Sequence, residues 1–123
     1  MLKLGGISIP LAKPEINEEM EKKIVEILKS RKYVLGEENL NFENEFSTMV
    51  SRKYSISVNS GTAALYSALY SIGISSGDEI ILPSFTFWAS AEVILLLGAF
   101  PVFCDINPDT YCIDDQKIES LIS

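Results

Sequence analysis

From Tyr54 onward, short apolar segments alternate with segments of helical spacing, and this alternation restricts the fold more than any other feature of the sequence. The predicted strands are 55–58, one that follows a turn within the GDEIILP segment at 77–83, and 101–105. The predicted helices are 62–72 and 86–97. Strands that alternate with helices of about a dozen residues imply right-handed crossovers and a parallel sheet. The sequence therefore predicts an α/β fold, in which N-terminal helices are followed by a βαβαβ unit of a parallel or mostly parallel sheet.

The first 54 residues are predicted to form a helical segment. Asn17 precedes a run with acidic residues in its first turn and apolar residues on one side, so a helix is predicted to about Ser30. A second helix is predicted after a turn at Gly36. Its residues expected to face inward are Leu40, Phe46, Met49 and Val50.

The remainder, 55–123, is predicted to be an incomplete α/β domain. Asp114 is a candidate cap for a last helix, which stops without glycine, proline or a basic last turn. Three such apolar strands would also leave faces and edges that this chain cannot cover by itself. We therefore expect either the N-terminal piece of a longer protein or a chain that another chain completes.

Charge and hydropathy exclude several classes of partner. The 17 acidic and 10 basic residues give a net charge of −7, which repels nucleic acid and anionic membrane surfaces. The most apolar region, 80–104, is interrupted by Glu92 and punctuated by prolines, so each uncharged part is shorter than the roughly 20 residues of a membrane helix. With no signal peptide evident, we expect a soluble cytoplasmic protein without nucleic-acid or membrane partners.

The residue types present also limit the possible chemistry. There is no histidine, and the spacing of Cys104 and Cys112 fits neither a redox pair nor a zinc site, so no metal site is predicted. Both thiols are expected to be free and mostly structural. Any reaction must therefore depend on other groups or on a cofactor.

Ser60-Gly61-Thr62 lies at a predicted junction between a strand and a helix. The first backbone N–H groups of a helix are unpaired there and the helix dipole is positive, which favours an anion. Glycine permits close approach of a phosphate, and the hydroxyls of Ser60 and Thr62 can donate to its oxygens. A plain helix cap explains the same tripeptide, so both interpretations stand on these residues alone. The stretch fits neither GxxxxGK[ST] nor GxGxxG, which leaves pyridoxal phosphate (PLP) as a natural candidate.

The second predicted strand ends, and the helix predicted at 86–97 begins, within the segment PSFTFWAS at 83–90. The carboxyl ends of adjacent parallel strands face the same crevice, so its aromatic residues are expected near the Ser-Gly-Thr turn. One of these rings could stack on a flat cofactor. Core packing is the competing interpretation for each of them.

Five segments, in this order and spacing, resemble the DegT/DnrJ/StrS-type sugar aminotransferases, which are fold-type-I PLP enzymes. The segments are IPLAKPEI, KYVLGEENLNFENEF, VNSGTAAL, GDEIILPSFTFWASA and GAFPVFCDINPDTYCID. The resemblance covers nearly the whole chain. It implies that 55–123 begins the large cofactor-binding domain and that the complete enzyme transfers an amino group, commonly from glutamate, to a nucleotide-linked keto sugar.

The resemblance also assigns residues to the cofactor. It implies that the PLP phosphate is held by Gly61 and Thr62, with Ser60 and Ala63 as further candidates. It also implies that Phe87 stacks on the ring. The family's Schiff-base lysine and the aspartate that pairs with the pyridine nitrogen both lie in segments beyond residue 123. We therefore expect no catalytic residue in this chain and no transamination by the chain alone.

Two residues near the third predicted strand invite comparison with the family. Asp105 falls outside the family's Asp-x-Ala segment, so a structural role at the strand end is expected for it. Asn107 replaces an aspartate that is usual in the family.

The alternative to an enzyme fragment is a regulatory or assembly module, because some members of the family are described as pleiotropic regulatory proteins. An unrelated α/β domain for a phosphorylated ligand is a third interpretation. Under each of them we expect self-association, with a homodimer favoured, since apolar faces need cover and the family forms dimers with active sites at the subunit interface.

Overall fold

The computed structural model describes residues 2–4 and 7–123, with side-chain environments from residue 10 onward. The chain divides into two compact units, residues 1–55 and residues 56–123. The first contains a hairpin and two helices, and the second contains alternating helices and parallel strands. The α/β class predicted from the sequence is confirmed.

The first unit begins with a short antiparallel hairpin that the sequence analysis did not predict. Strand β1 (Leu2–Leu4) pairs with β2 (Ile7–Ile9), and Leu2 lies opposite Ile9. Strands of three residues provide too short a pattern to be recognised by alternation.

Helix α1 (Glu18–Ser30) forms where the sequence predicts it. The side chain of Asn17 accepts a hydrogen bond of 2.9 Å from the backbone N–H of Met20, and acidic residues fill the first turn, where the helix dipole favours negative charge. The helix ends at Arg31, whose φ of 58° is left-handed and whose N–H donates to the carbonyl of Leu28. The cap at Asn17 and the acidic first turn are local signals, which explains why the sequence predicted the start of this helix.

Helix α2 (Glu37–Met49) follows Gly36, as expected, but the prediction that one of its faces points inward is wrong. Its four predicted inward residues are all exposed: Leu40, Phe46, Met49 and Val50. A buried apolar face needs a neighbouring surface, and no described residue packs over these four closely enough to bury them. An ion pair of 2.8 Å between Lys23 Nζ and Glu38 Oε1 links α1 to α2.

The second unit contains helix α3 (Gly61–Ser71), strand β3 (Glu79–Pro83), helix α4 (Ala89–Leu96), strand β4 (Phe100–Cys104) and helix α5 (Asp115–Ile118), which a 3₁₀ turn extends over Glu119–Leu121. Strands β3 and β4 are parallel, with Glu79 opposite Phe100 and Pro83 opposite Cys104. Asp114 caps α5, as predicted, by accepting from the N–H of Gln116.

A small core joins helix α4 to the two strands and to α3. Its buried members are Leu82, Val93, Ile94 and Ala99, with the half-buried Leu69, Ile74, Ile80 and Ala91 around them. Val93 and Ile94 are 1% and 2% exposed. Gly98 has a φ of +76° and makes the tight turn from α4 into β4.

Two predicted elements differ in the structure. Residues 55–58 belong to no ladder in the part of the chain that the structure describes, although their sequence is strand-like. A strand requires a hydrogen-bonded neighbour, and local sequence cannot supply one. Helix α4 begins at Ala89 rather than at residue 86, and residues 87–90 form a turn in which the N–H of Ser90 donates to the carbonyl of Phe87. Within the described residues, no helix is both long and apolar enough to span a bilayer.

Candidate functional site

The Ser60-Gly61-Thr62-Ala63 segment forms the N-terminal turn of α3. Ser60 is extended, with φ −161° and ψ 160°, and its hydroxyl oxygen accepts from the backbone N–H of Ala63 at 3.1 Å. The carbonyl of Ser60 accepts from the N–H of Ala64 at 3.0 Å, which starts the helical hydrogen bonds. Ser60 is therefore a helix cap, and the hydroxyl proton of that cap stays able to donate.

The same geometry leaves two backbone donors at the helix end. The N–H groups of Gly61 and Thr62 precede the first helical hydrogen bond, so α3 itself offers them no acceptor. They point out of a helix of 11 residues that has no acidic residue in its first turn. This end of α3 is therefore suited to an anion, since a carboxylate in the first turn would compete for it.

Gly61 keeps the outer side of the turn open. A Cβ atom built at this position has no heavy atom within 4 Å apart from its chain neighbours and the backbone of its own helix, and the φ of Gly61 is not left-handed. A Cβ would thus occupy space beside the free N–H groups without straining the backbone. Thr62 and Ala63 are half-buried, so the Thr62 hydroxyl belongs to a partly desolvated surface. A phosphate group fits this donor set by charge and by hydrogen-bonding type.

Phe87 lies in the turn between β3 and α4 and is 69% exposed. Its ring is 6.0 Å from that of Trp88, centroid to centroid, with a tilt of 59°. The neighbouring Phe85 makes a similar tilted contact with Tyr111, also at 6.0 Å. Core packing, the competing interpretation for these rings, does not describe them in this structure, because all four are exposed.

The turn and Phe87 lie at or near the N-terminal ends of two helices that contact each other. The turn begins α3, Phe87 lies two residues before the first residue of α4, and α3 packs against α4. Their convergence on one crevice remains a prediction of the sequence analysis.

A hydroxyl pair next to Phe87 was not singled out from the sequence. Thr86 Oγ1 lies 3.2 Å from Ser90 Oγ, and either atom can be the donor. The sequence contains a signal for this pair, namely two hydroxyl residues four positions apart at the predicted start of a helix. That spacing places the two side chains on the same face.

Asp105 has the structural environment that was expected for it. Its Oδ1 accepts from the N–H of Ile106 at 2.8 Å, and its Oδ2 lies 3.0 Å from Lys117 Nζ, which is also 3.4 Å from Asp114 Oδ2. The hydrogen bond from Lys117, then that from the backbone, holds the pKa of the Asp105 carboxyl below its usual value. The hydrogen bonds to Asp105 and then Asp114 raise the pKa of Lys117.

Asn107 shapes the loop that follows β4. Its side-chain oxygen accepts from the N–H groups of Asp109 and Thr110, at 2.9 and 3.3 Å. Cys104 is buried and Cys112 is exposed, and neither forms a disulfide. Among the described residues, no group of three or more potential ligand side chains is placed to hold a metal ion.

Comparison with known proteins gives a consistent result. The model of the DegT/DnrJ/EryC1/StrS aminotransferase family matches residues 14–123. A UDP-2-acetamido-2-deoxy-3-oxo-D-glucuronate aminotransferase of Pseudomonas aeruginosa is 40% identical over 108 residues, which are 88% of this chain and 30% of that protein. A 3-oxo-glucose-6-phosphate:glutamate aminotransferase of Bacillus subtilis is 36% identical over 118 residues, covering 94% of this chain and 27% of the relative.

The solved structures include the PLP form of a proposed sugar aminotransferase from Streptococcus pneumoniae. It superposes with a TM-score of 0.90 at 33% identity, over 95% of this chain and 30% of that one. The chain therefore spans about 30% of the length of the proteins it matches.

Proposed function

This chain belongs to the DegT/DnrJ/EryC1/StrS aminotransferase family, and we propose that it forms the phosphate-binding and ring-stacking part of a PLP-dependent aminotransferase of keto sugars. The observation that carries the proposal is the N-terminus of α3. There, the backbone N–H groups of Gly61 and Thr62 have no acceptor within the helix, and the space beside Gly61 is open.

The proposed phosphate site uses the end of α3 as a fixed set of donors. Gly61 and Thr62 donate from the backbone, the Thr62 and Ser60 hydroxyls add two further donors, and Ala63 completes the turn. Interaction of an anion with a helix N-terminus contributes about 0.3–1 kcal/mol, and up to about 2 when partly buried. Because the backbone donors are already ordered by the helix, little conformational entropy is lost when the phosphate binds.

Phe87 is proposed to lie against the face of the pyridine ring. Its exposure leaves one face accessible, and an offset aromatic contact contributes about 0.5–1.5 kcal/mol beyond the area it buries. When bound, PLP would supply the electron sink that the transfer of an amino group from donor to acceptor requires. This chain's own part is to bind the phosphate, orient the ring and shield one ring face from water.

The proposed acceptor is a nucleotide-linked keto sugar, and the proposed amino donor is glutamate. The Pseudomonas relative is named for a UDP-linked 3-oxo sugar and the Bacillus relative for a 3-oxo sugar phosphate and glutamate. Each of the two names specifies a 3-oxo sugar that carries a phosphate-containing group. A direct comparison of UDP-linked and 6-phosphorylated keto sugars as acceptors, with the protein that carries this chain, distinguishes the two classes.

A PLP titration tests the proposal, and Trp88 provides the signal. It is the single tryptophan of the chain and adjoins Phe87, so PLP bound against Phe87 should quench its emission. We expect saturable quenching that Thr62→Val and Phe87→Leu weaken. Matched controls are Thr48→Val and Phe42→Leu, which change an exposed threonine and an exposed phenylalanine of the first unit.

The titration also distinguishes the enzymatic from the non-catalytic alternative. Quenching that both site variants leave unchanged would contradict the assignment of the turn and of Phe87. Absence of quenching at millimolar PLP would favour a regulatory or assembly module, whereas self-association is expected of both alternatives.

We also propose a homodimer. Helices α1 and α2 of the first unit expose apolar side chains, among them Met20, Ile24, Leu28, Leu40 and Met49. Burial of such surface against a second copy favours association. Light scattering that reports a monomer at all concentrations would contradict this part of the proposal.

A further inference from the structure

We propose that Thr86 and Ser90 are positioning residues whose paired hydroxyls hold Phe87 in the orientation that stacks on the cofactor ring. The inference rests on the proposed function, because it concerns the residue assigned there to ring stacking. Its geometric basis is the 3.2 Å contact between Thr86 Oγ1 and Ser90 Oγ. This contact spans the turn that contains Phe87.

The position of Phe87 requires an explanation because no core holds its ring. The side chain is 69% exposed, and its ring contact is with Trp88, which is itself exposed. A side chain at the surface samples several rotamers unless neighbouring groups restrict the backbone that carries it. The orientation of this ring therefore depends on how firmly residues 86–88 are held.

Both ends of the segment are attached to ordered structure. At the start, the N–H of Ser84 donates to the carbonyl of Cys104 at 2.7 Å, which extends the pairing of β3 with β4 by one residue. At the end, Ala89 is buried and begins α4, the helix that carries the core residues Val93 and Ile94. Residues 85–88 form a short connection between these two anchors.

Two hydrogen bonds attach this connection to Ser90. The N–H of Ser90 donates to the carbonyl of Phe87 at 3.0 Å, and its hydroxyl pairs with that of Thr86. Phe87 is thus held through its own carbonyl and through the residue before it. The backbone bond is available to any residue except proline at position 90, whereas the second bond requires hydroxyls at both positions.

A first test uses the ligand-free chain, so that it does not depend on PLP binding. Thr86→Val keeps the shape of the side chain and removes its hydroxyl, and Ser90→Ala removes the other partner. We expect both variants to lower the fluorescence anisotropy of Trp88 and to weaken its near-ultraviolet circular dichroism. Thr86→Ser and Ser90→Thr retain a hydroxyl at each position and should restore both signals.

A second test measures PLP affinity by quenching of Trp88. We expect Thr86→Val and Ser90→Ala to weaken binding about threefold to tenfold, the equivalent of one hydrogen bond, and the double variant to be no weaker than either single one. The conservative variants should bind as the unsubstituted chain does. Non-additivity is the signature that the two hydroxyls act as a pair.

The outcomes separate this inference from the proposed function. If PLP quenches Trp88 and Thr62→Val weakens the quenching, but Thr86→Val changes neither the anisotropy nor the affinity, the pair has no positioning role and the proposed function stands. If Thr86→Val lowers only the unfolding midpoint in urea, the pair merely stabilises the start of α4, and the inference is overturned. Unchanged Trp88 signals in the ligand-free variants overturn it whether or not PLP binds.

Discussion

The hydroxyl oxygen of Ser60 lies 3.1 Å from the backbone nitrogen of Ala63 and accepts its hydrogen bond. The contact uses the hydroxyl lone pairs and leaves the neighbouring N–H groups of Gly61 and Thr62 directed away from the helix. One turn can therefore be both a helix cap and a binding site for a phosphate. The two interpretations that the sequence left open are compatible, and substitutions can separate them.

Ser60→Ala should lower the free energy of unfolding of the second unit by about 1 kcal/mol, because the N–H of Ala63 loses its acceptor. Ser60→Asp should retain that stability, since a carboxylate also caps a helix. It should nevertheless abolish PLP quenching of Trp88, because a negative charge would then occupy the phosphate position. If Ser60→Asp binds PLP as well as the unsubstituted chain, the phosphate does not lie at this turn.

Gly61→Ala should leave the fold intact and weaken PLP binding. Apart from its chain neighbours and the backbone of its own helix, the added Cβ meets no heavy atom within 4 Å, and the backbone φ is not left-handed. Stability should therefore stay the same or rise by about 0.4–1 kcal/mol. The matched control is Gly73→Ala. It also adds a Cβ in open space, but at a φ of +89°, and should cost roughly 1–2 kcal/mol without affecting PLP. Equal PLP affinity in Gly61→Ala and the unsubstituted chain would contradict close approach of a phosphate.

The carboxyl group of Asp105 should titrate below the usual range of aspartate, because Lys117 donates a hydrogen bond to its charged form. A lowered pKa in the folded state means that the contribution to stability is present above the unfolded-state pKa, near 4. It is lost as the pH falls through the folded-state pKa. Carbon-13 NMR of the carboxyl group measures the shift directly.

Lys117→Gln should move the pKa of Asp105 back toward its usual value. Lys23→Gln, which breaks the ion pair with Glu38 in the other unit, should leave it unchanged. An identical Asp105 titration curve in Lys117→Gln and the unsubstituted chain would show that the ion pair does not persist in solution.

Ile94→Ala should destabilise the second unit by about 2–5 kcal/mol, because a side chain that is 2% exposed leaves a cavity when it is truncated. Leu96→Ala provides the control on the same helix. Leu96 is 63% exposed, so its truncation should change the free energy of unfolding much less. Urea denaturation followed by circular dichroism compares the two, and similar losses would mean that α4 is packed differently from the structure described above.

Residues close together in the chain determined much of what the sequence predicted correctly. Asn17, Ser60 and Asp114 each cap a helix through a bond to an N–H two or three residues later. A short apolar run between turn residues was sufficient to predict strands β3 and β4. The order of the motifs also sufficed to indicate the family, which the match over residues 14–123 confirms.

The tertiary structure decided which surfaces are buried and which extended segments pair. Residues 55–58 have a strand-like sequence but no ladder within the described residues, and the apolar face of α2 is exposed. Caps and turns depend on bonds within a few residues, so the sequence by itself determines them. Burial and strand pairing depend on groups distant in the chain, so only the folded arrangement decides them.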